Sequence, residues 1–197
     1  SLASAPINIT ITVPIQLYCG LPESAYDKVI RGTSGNDNLI GTNGNDLIIG
    51  SSGNDKIHGK NGNDCLIGED GNDKIWGGNG NDTIIGNAGD DHLSGQDGDD
   101  TIAGNEGDDK IWGGKGNDIL DGNEGKDQIH AQQGTDTITG GDGDDKIWGG
   151  QDNDTINAGT GNDRVNANQG DDNIIGGDGN DWISAGIGND IVNAGLG

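Results

Sequence analysis

From Leu39 to Val192 one aliphatic residue returns at every ninth position. The series opens Leu39, Ile48, Ile57, Leu66, Ile75, Ile84 and closes Ile174, Ile183, Val192, with no insertion or deletion. Between these residues the chain is polar and rich in glycine, as in GGNGNDTII at 77–85. A period of nine is neither the 3.6 of an amphipathic helix nor the long alternation of an ordinary strand. Self-similarity at a fixed period signals a repeat architecture. Within each unit six residues are turn formers, and three, such as Thr83, Ile84 and Ile85, are β-prone. The pattern predicts a short strand of three residues per unit, with the eighth position on one face and the seventh and ninth on the other.

Cut at Gly32, the chain reads GTSGNDNLI, GTNGNDLII, GSSGNDKIH, GKNGNDCLI, GEDGNDKIW, GGNGNDTII and on to AGIGNDIVN, giving 18 nonapeptides and the start of another, Ala194–Gly197. Position 6 is Asp in all 18 and position 8 is Leu, Ile or Val in all 18. Position 4 is Gly except at Asp152, and position 1 is Gly except at Ala131, Ala158, Ala167 and Ala185. Over residues 32–193 these units resemble the repeats-in-toxin (RTX) nonapeptide G-G-x-G-x-D-x-U-x, with U a large aliphatic residue. The resemblance implies an all-β fold, a right-handed parallel β-roll (a β-solenoid) that binds Ca²⁺, with two nonapeptides per coil and about nine coils.

The residues support that reading on their own. With two units per coil, position-8 side chains from the two sides meet in a single file, too thin a core to hold the fold unaided. Coils stacked at about 4.8 Å bring Asp37 near Asp55 and Asp46 near Asp64, and such carboxylates repel unless a cation lies between them. The expected ligands are Asp37, Asp46, Asp55, Asp64, Asp73, Asp82, Asp91, Asp100, Asp109, Asp118, Asp127, Asp136, Asp145, Asp154, Asp163, Asp172, Asp181 and Asp190, completed by backbone carbonyls of the glycine-rich turns. An all-oxygen, flexible shell suits Ca²⁺ rather than Zn²⁺ or Mg²⁺. Joining each unit to the second one after it gives about 16 ions in two columns. At Asp152 two readings stand, an added calcium ligand or a tolerated surface change.

Composition sharpens the dependence on metal. Only 28% of residues are hydrophobic and the net charge is −24, with 34 acidic residues against 10 basic ones. Such a chain stays disordered until its charge is neutralised, so metal binding and folding are expected to be one event. Nucleic acid is excluded as a partner, since affinity for phosphate rests on Lys and Arg, and no apolar run approaches a membrane span. The sequence has no Met, which suggests a processed or excised chain and, most simply, a removed secretory signal.

Other chemistries find no footing. An EF-hand needs a 12-residue loop closed by Glu between helices; a phosphate loop needs G-x-x-x-x-G-K-[ST]; a nucleophile elbow needs G-x-S-x-G. None occurs. His58, His92 and His130 fall in repeat strands and read as plain outward residues. The chain is expected to have no catalytic activity.

Odd- and even-numbered units occupy opposite sheets with different outer faces. On the odd face, position 7 carries Lys56, Lys74, Lys110, Lys146 and Arg164, half of all basic residues, and position 9 carries Trp76, Trp112 and Trp148. This basic, aromatic stripe has two readings: a contact surface for a cell-surface glycan or another chain, or Trp rings packed on neighbouring Lys stems. The even face begins with apolar Leu47, Ile49, Cys65 and Ile67, which suggests a contact. Its outward Thr83, Thr101, Thr137 and Thr155 raise ice binding as a minor reading, weakened by the interruptions Ile119, Asp121 and Asn173.

Residues 1–31 are expected to form an N-terminal cap ahead of the roll at 32–197, with a strand over 7–18, INITITVPIQLY, interrupted at Pro14. A Cys19–Cys65 disulfide would pin that strand over the even face; two free thiols are the alternative. Asn8 begins a weak glycosylation match. The reading that results is a secreted calcium-binding structural protein of the cell surface or extracellular matrix. The terminal AGLG, with neither proline nor charge after Asp190, points to end-to-end assembly into filaments. A non-catalytic module of a larger secreted enzyme, toxin or adhesin is the alternative.

Overall fold

The computed structural model describes residues 17–196. It is a parallel β-solenoid. Strands from even units form a ten-stranded sheet that starts at Lys28–Arg31, and strands from odd units form a nine-stranded sheet that starts at Asn38–Ile40. Each strand pairs in parallel with the strand 18 residues on: Ile84 lies opposite Ile102, and Ile102 opposite Leu120. The chain therefore completes one coil every two nonapeptides, for about nine coils. The only helix among the described residues is a 3-10 turn at Glu23–Ala25.

The position-8 residues, from Ile48 to Ile174, make one continuous buried file, joined by the methyls of Ala131, Ala158 and Ala167. Positions 7 and 9 flank it on the outside, so the alternation read from the sequence holds. The strand length does not. Most strands run six residues, for example Thr83–Ala88, not three. The ladder continues through positions 1 to 3 of the next unit because position 2 bends the strand without ending its pairing. From Ser51 onward φ at that position is positive, even for Lys60 (91°), Glu69 (75°) and Gln96 (86°). Position 4 is the other left-handed site, and Asp152, the one non-glycine there, holds φ 72° and is exposed.

The parallel stack takes in Lys28–Arg31 ahead of the first regular nonapeptide. Val29 pairs with Leu47 and Ile30 with Ile48, and Ile30 packs on the main file. Residues 18–29 then fold over the even sheet. Tyr18, Cys19, Tyr26 and Val29 cover Leu47, Ile49, Cys65 and Ile67 in a second apolar cluster. Cys19 and Cys65 are disulfide-bonded, with Cα atoms 6.0 Å apart. Tyr26 donates its hydroxyl proton to the Tyr18 carbonyl at 2.6 Å, and Arg31 reaches Tyr18 and Glu23. The apolar start of the even face thus contacts the chain's own N-terminal segment. Of the expected strand at 7–18, residues 7–16, with Asn8 and Pro14, lie outside the described residues; Leu17–Tyr18 pair antiparallel with Leu21–Pro22.

Candidate metal centre

Two files of aspartate run the length of the roll, one at each turn edge. Every position-6 residue from Asp46 to Asp172 is buried, and Asp37, Asp181 and Asp190 at the two ends are half-buried. One oxygen of each carboxylate is used in the same way. The N–H of Asp91 donates to Oδ1 of Asp109 at 2.8 Å, the N–H of Asp109 donates to Oδ1 of Asp127 at 2.8 Å, and the pattern repeats along both files. Each aspartate therefore ties its coil to the coil before.

The other oxygen has no partner. Oδ2 is buried and without a hydrogen bond at fifteen positions, from Asp55 to Asp181. In twelve of the fifteen units it points into a cradle beside the glycine that opens its own unit; Ala131, Ala158 and Ala167 open the units of Asp136, Asp163 and Asp172. A methyl on Gly104 would run into Asp109 Oδ2 and into the Gly122 carbonyl oxygen of the next coil. A carboxylate oxygen and a peptide oxygen converge there with no donor between them. Buried polar atoms rarely stay unpaired, and a charged one is costly. Among the described residues no three His, Cys, Asp or Glu side chains converge on one point, so a metal held here needs backbone oxygens. That donor set is hard, oxygen-only and unlike a zinc site.

The electrostatics agree. Burial pushes the carboxyls of Asp82 and Asp109 up to about 8. Asp91, Asp100, Asp136, Asp145 and Asp154 rise to about 7 for the same reason. The backbone donors pull each one down, and carboxylates of adjacent coils raise it further. Without a cation the files resist ionising.

The first aspartate of each file is different. Thr33 donates through its N–H and its hydroxyl to Asp37 Oδ2. Thr42 does the same for Asp46. Lys28 stands opposite Asp46 in the strand register, where a further aspartate would fall. These threonines close the N-terminal end of both files without metal.

A second ladder escaped the sequence reading. Position-5 side chains accept from the N–H of the next coil: Asn63 from Asn81 at 3.0 Å, Asn81 from Asp99 at 3.1 Å and Asp108 from Lys126 at 2.9 Å. The preponderance of Asn and Asp at that position was its signal. Position 5 bonds forward and position 6 backward, so most turns are stitched in both directions; the position-5 ladder breaks at Lys126 and Thr135.

The aromatic stripe also needs correction. His58 stacks on Trp76 at 4.3 Å between centroids, and His130 on Trp148 at 4.1 Å and near Trp112 at 6.0 Å. The histidines are therefore rungs of an aromatic ladder rather than plain outward residues. Trp76 and Trp148 pack on His58 and His130 because position 9 of one coil faces position 9 of the next. Burial pushes the imidazoles of His58 and His130 down, which keeps them neutral.

The family model of the RTX calcium-binding nonapeptide repeat matches residues 31–66, 58–93, 67–102, 94–129, 130–165 and 166–197. The chain belongs to this family. Its repeats bind Ca²⁺, and the two aspartate files are where such ions fit. No curated protein matches the chain. No helix among the described residues is long and apolar enough to cross a membrane.

Proposed function

We propose that this RTX chain is a non-catalytic extracellular structural protein whose fold is switched on by calcium. The observation that carries the reading is the set of fifteen buried, unpaired Oδ2 atoms, twelve of which share a glycine-lined cradle with a peptide oxygen of the next coil. Asp55 through Asp181 would hold the ions with carbonyls of position 1, while Asp37 and Asp46 are closed by Thr33 and Thr42. The ion supplies positive charge between oxygens that otherwise repel. The disulfide favours an oxidising compartment, and calcium is abundant enough outside cells for sites of modest affinity. Far-ultraviolet circular dichroism tests the reading: a coil spectrum in EGTA, β-structure in millimolar Ca²⁺, and no recovery in Mg²⁺, which demands a tighter octahedral shell. A full β signal in chelator at about pH 8, where the buried carboxyls ionise, would overturn it.

End-to-end assembly is the finer part of the proposal. The last rungs, Trp182–Ser184 and Ile191–Asn193, pair on one side only, and Ile191, Val192 and Leu196 are exposed. An edge of this kind accepts another coil, either the next repeat of a longer chain or the first coil of a second copy. Sedimentation in calcium at high protein concentration should show association reversed by chelator; a monomer there favours a module within a longer protein.

A further inference from the structure

The two turn edges carry the same aspartate files but differ in what flanks them. Along the odd edge runs a groove of about 820 Å³, walled on one side by Lys56, Lys74, Lys110 and Lys146 and on the other by position-5 residues such as Asn54 and Asn72. A second hollow of about 400 Å³ continues it past Lys146 to Arg164. Lys56, Lys74, Lys146 and Arg164 are exposed. On the even edge no position-7 residue is basic. The rungs are about 4.8 Å apart, so the cations from Lys56 to Arg164 form a straight rail about 29 Å long. Asp90, Asp108 and Lys126 lie in the same wall, and Asp144, which also lines the second hollow, is paired with Lys126 at 2.8 Å.

We propose that this groove binds a linear acidic glycan, and that it does so only on the calcium-folded roll. The inference rests on the calcium reading above. Without metal the chain carries −24 and repels any polyanion. Fifteen divalent ions carry more positive charge than the chain's deficit, and the odd file of them would lie along the groove floor, where Asp55 lines it. The lysines then meet carboxylate or sulfate groups at intervals along an extended chain, and the amides of Asn54 and Asn72 meet hydroxyls. Nucleic acid fits less well. Single strands bind through bases stacked on aromatic faces, and no tryptophan is among the residues lining either hollow. A groove this straight and narrow follows one extended polymer rather than a duplex.

The test uses the full chain in calcium, with circular dichroism confirming the roll in every sample. The probes are dextran sulfate, unmodified dextran of the same length, and a single-stranded oligonucleotide of matched charge. Dextran sulfate should bind and the other two should not. The variant Lys74→Gln/Lys110→Gln/Lys146→Gln should bind about tenfold more weakly, as expected for three partly exposed ion pairs. The charge-matched variant Lys28→Gln/Lys60→Gln/Lys115→Gln, which leaves the groove intact, should bind as the parent does. Equal losses in both triples would overturn the groove, and equal binding of dextran would overturn the acid requirement. Tighter binding of the oligonucleotide would overturn the choice of partner. A folded roll that binds none of the probes refutes this inference alone; a chain that does not fold in calcium refutes the reading beneath it.

Discussion

Removing the disulfide should weaken the roll by an amount that can be worked from its position. Cys19 and Cys65 are 46 residues apart, and closing a loop of that length in the unfolded chain is worth about 4 kcal/mol by loop entropy. Alanine is the right replacement at Cys65, which is buried among Leu47, Ile49 and Ile67, because it leaves no unpaired hydroxyl. The variant Cys19→Ala/Cys65→Ala should therefore unfold in urea, at saturating calcium, with about 4 kcal/mol less stability. The calcium midpoint should move far less. If about fifteen ions bind as the chain folds, the loss is shared among them, and about 1.4 kcal/mol per ion is needed for a tenfold change. The midpoint then rises only about 1.6-fold. Dithiothreitol on the parent should reproduce both shifts. Unchanged urea and calcium midpoints would refute the idea that residues 18–29 clamp the first coils. A tenfold calcium shift would show that few ions are coupled to folding.

Three further outcomes follow from the aspartate files. Asp109→Asn keeps the acceptor used by the Asp91 N–H but removes the charge, so it should lower the number of bound ions by one or two and raise the calcium midpoint, as read by calorimetry. Gly104→Ala puts a methyl in the cradle of Asp109 and should weaken that site. Conversely Ala158→Gly, beside Asp163, should strengthen calcium binding, and identical titrations for parent and variants would remove the cradle from the account. The pH dependence has a definite sign. The folded carboxyls of Asp82, Asp91, Asp100 and Asp109 lie at about 7 to 8, above the unfolded value of about 3.9. Their contribution to the metal-free fold is fully present below the unfolded value and lost as pH rises through 7 to 8. Circular dichroism in chelator should show β-structure gained near pH 4 and lost by pH 8, while the calcium midpoint rises as pH falls below 7.

The period of nine made the coil, the core file and the position-6 aspartates legible, because a solenoid repeats one set of contacts along its axis. Ile84 sees Ile102 as Ile102 sees Leu120. Contacts that break the repeat were harder to read. Thr33 and Thr42 are the two threonines at a position that later holds Ser, Lys, Glu, Gly, Asn or Gln, and only their hydrogen bonds to Asp37 and Asp46 show why. The strand length was missed because glycine and asparagine read as turn formers, yet at position 2 they bend a strand that goes on pairing. The His–Trp stacking was missed because it depends on which position-9 residues meet across coils, and the histidines were weighed singly. The covering of Leu47 and Ile67 comes from a segment outside the period; it was legible through Cys19 and Cys65, whose disulfide holds that segment over the even face as expected, and not through the repeat.

Equilibrium dialysis of the full chain against graded Ca²⁺, with circular dichroism recorded on the same samples, tests the central claim most directly. The account predicts about fifteen ions per chain, one for each buried unpaired Oδ2, taken up in step with the β signal. Complete β-structure with only a few ions bound, or saturation of the ions while the chain remains a coil, would contradict it.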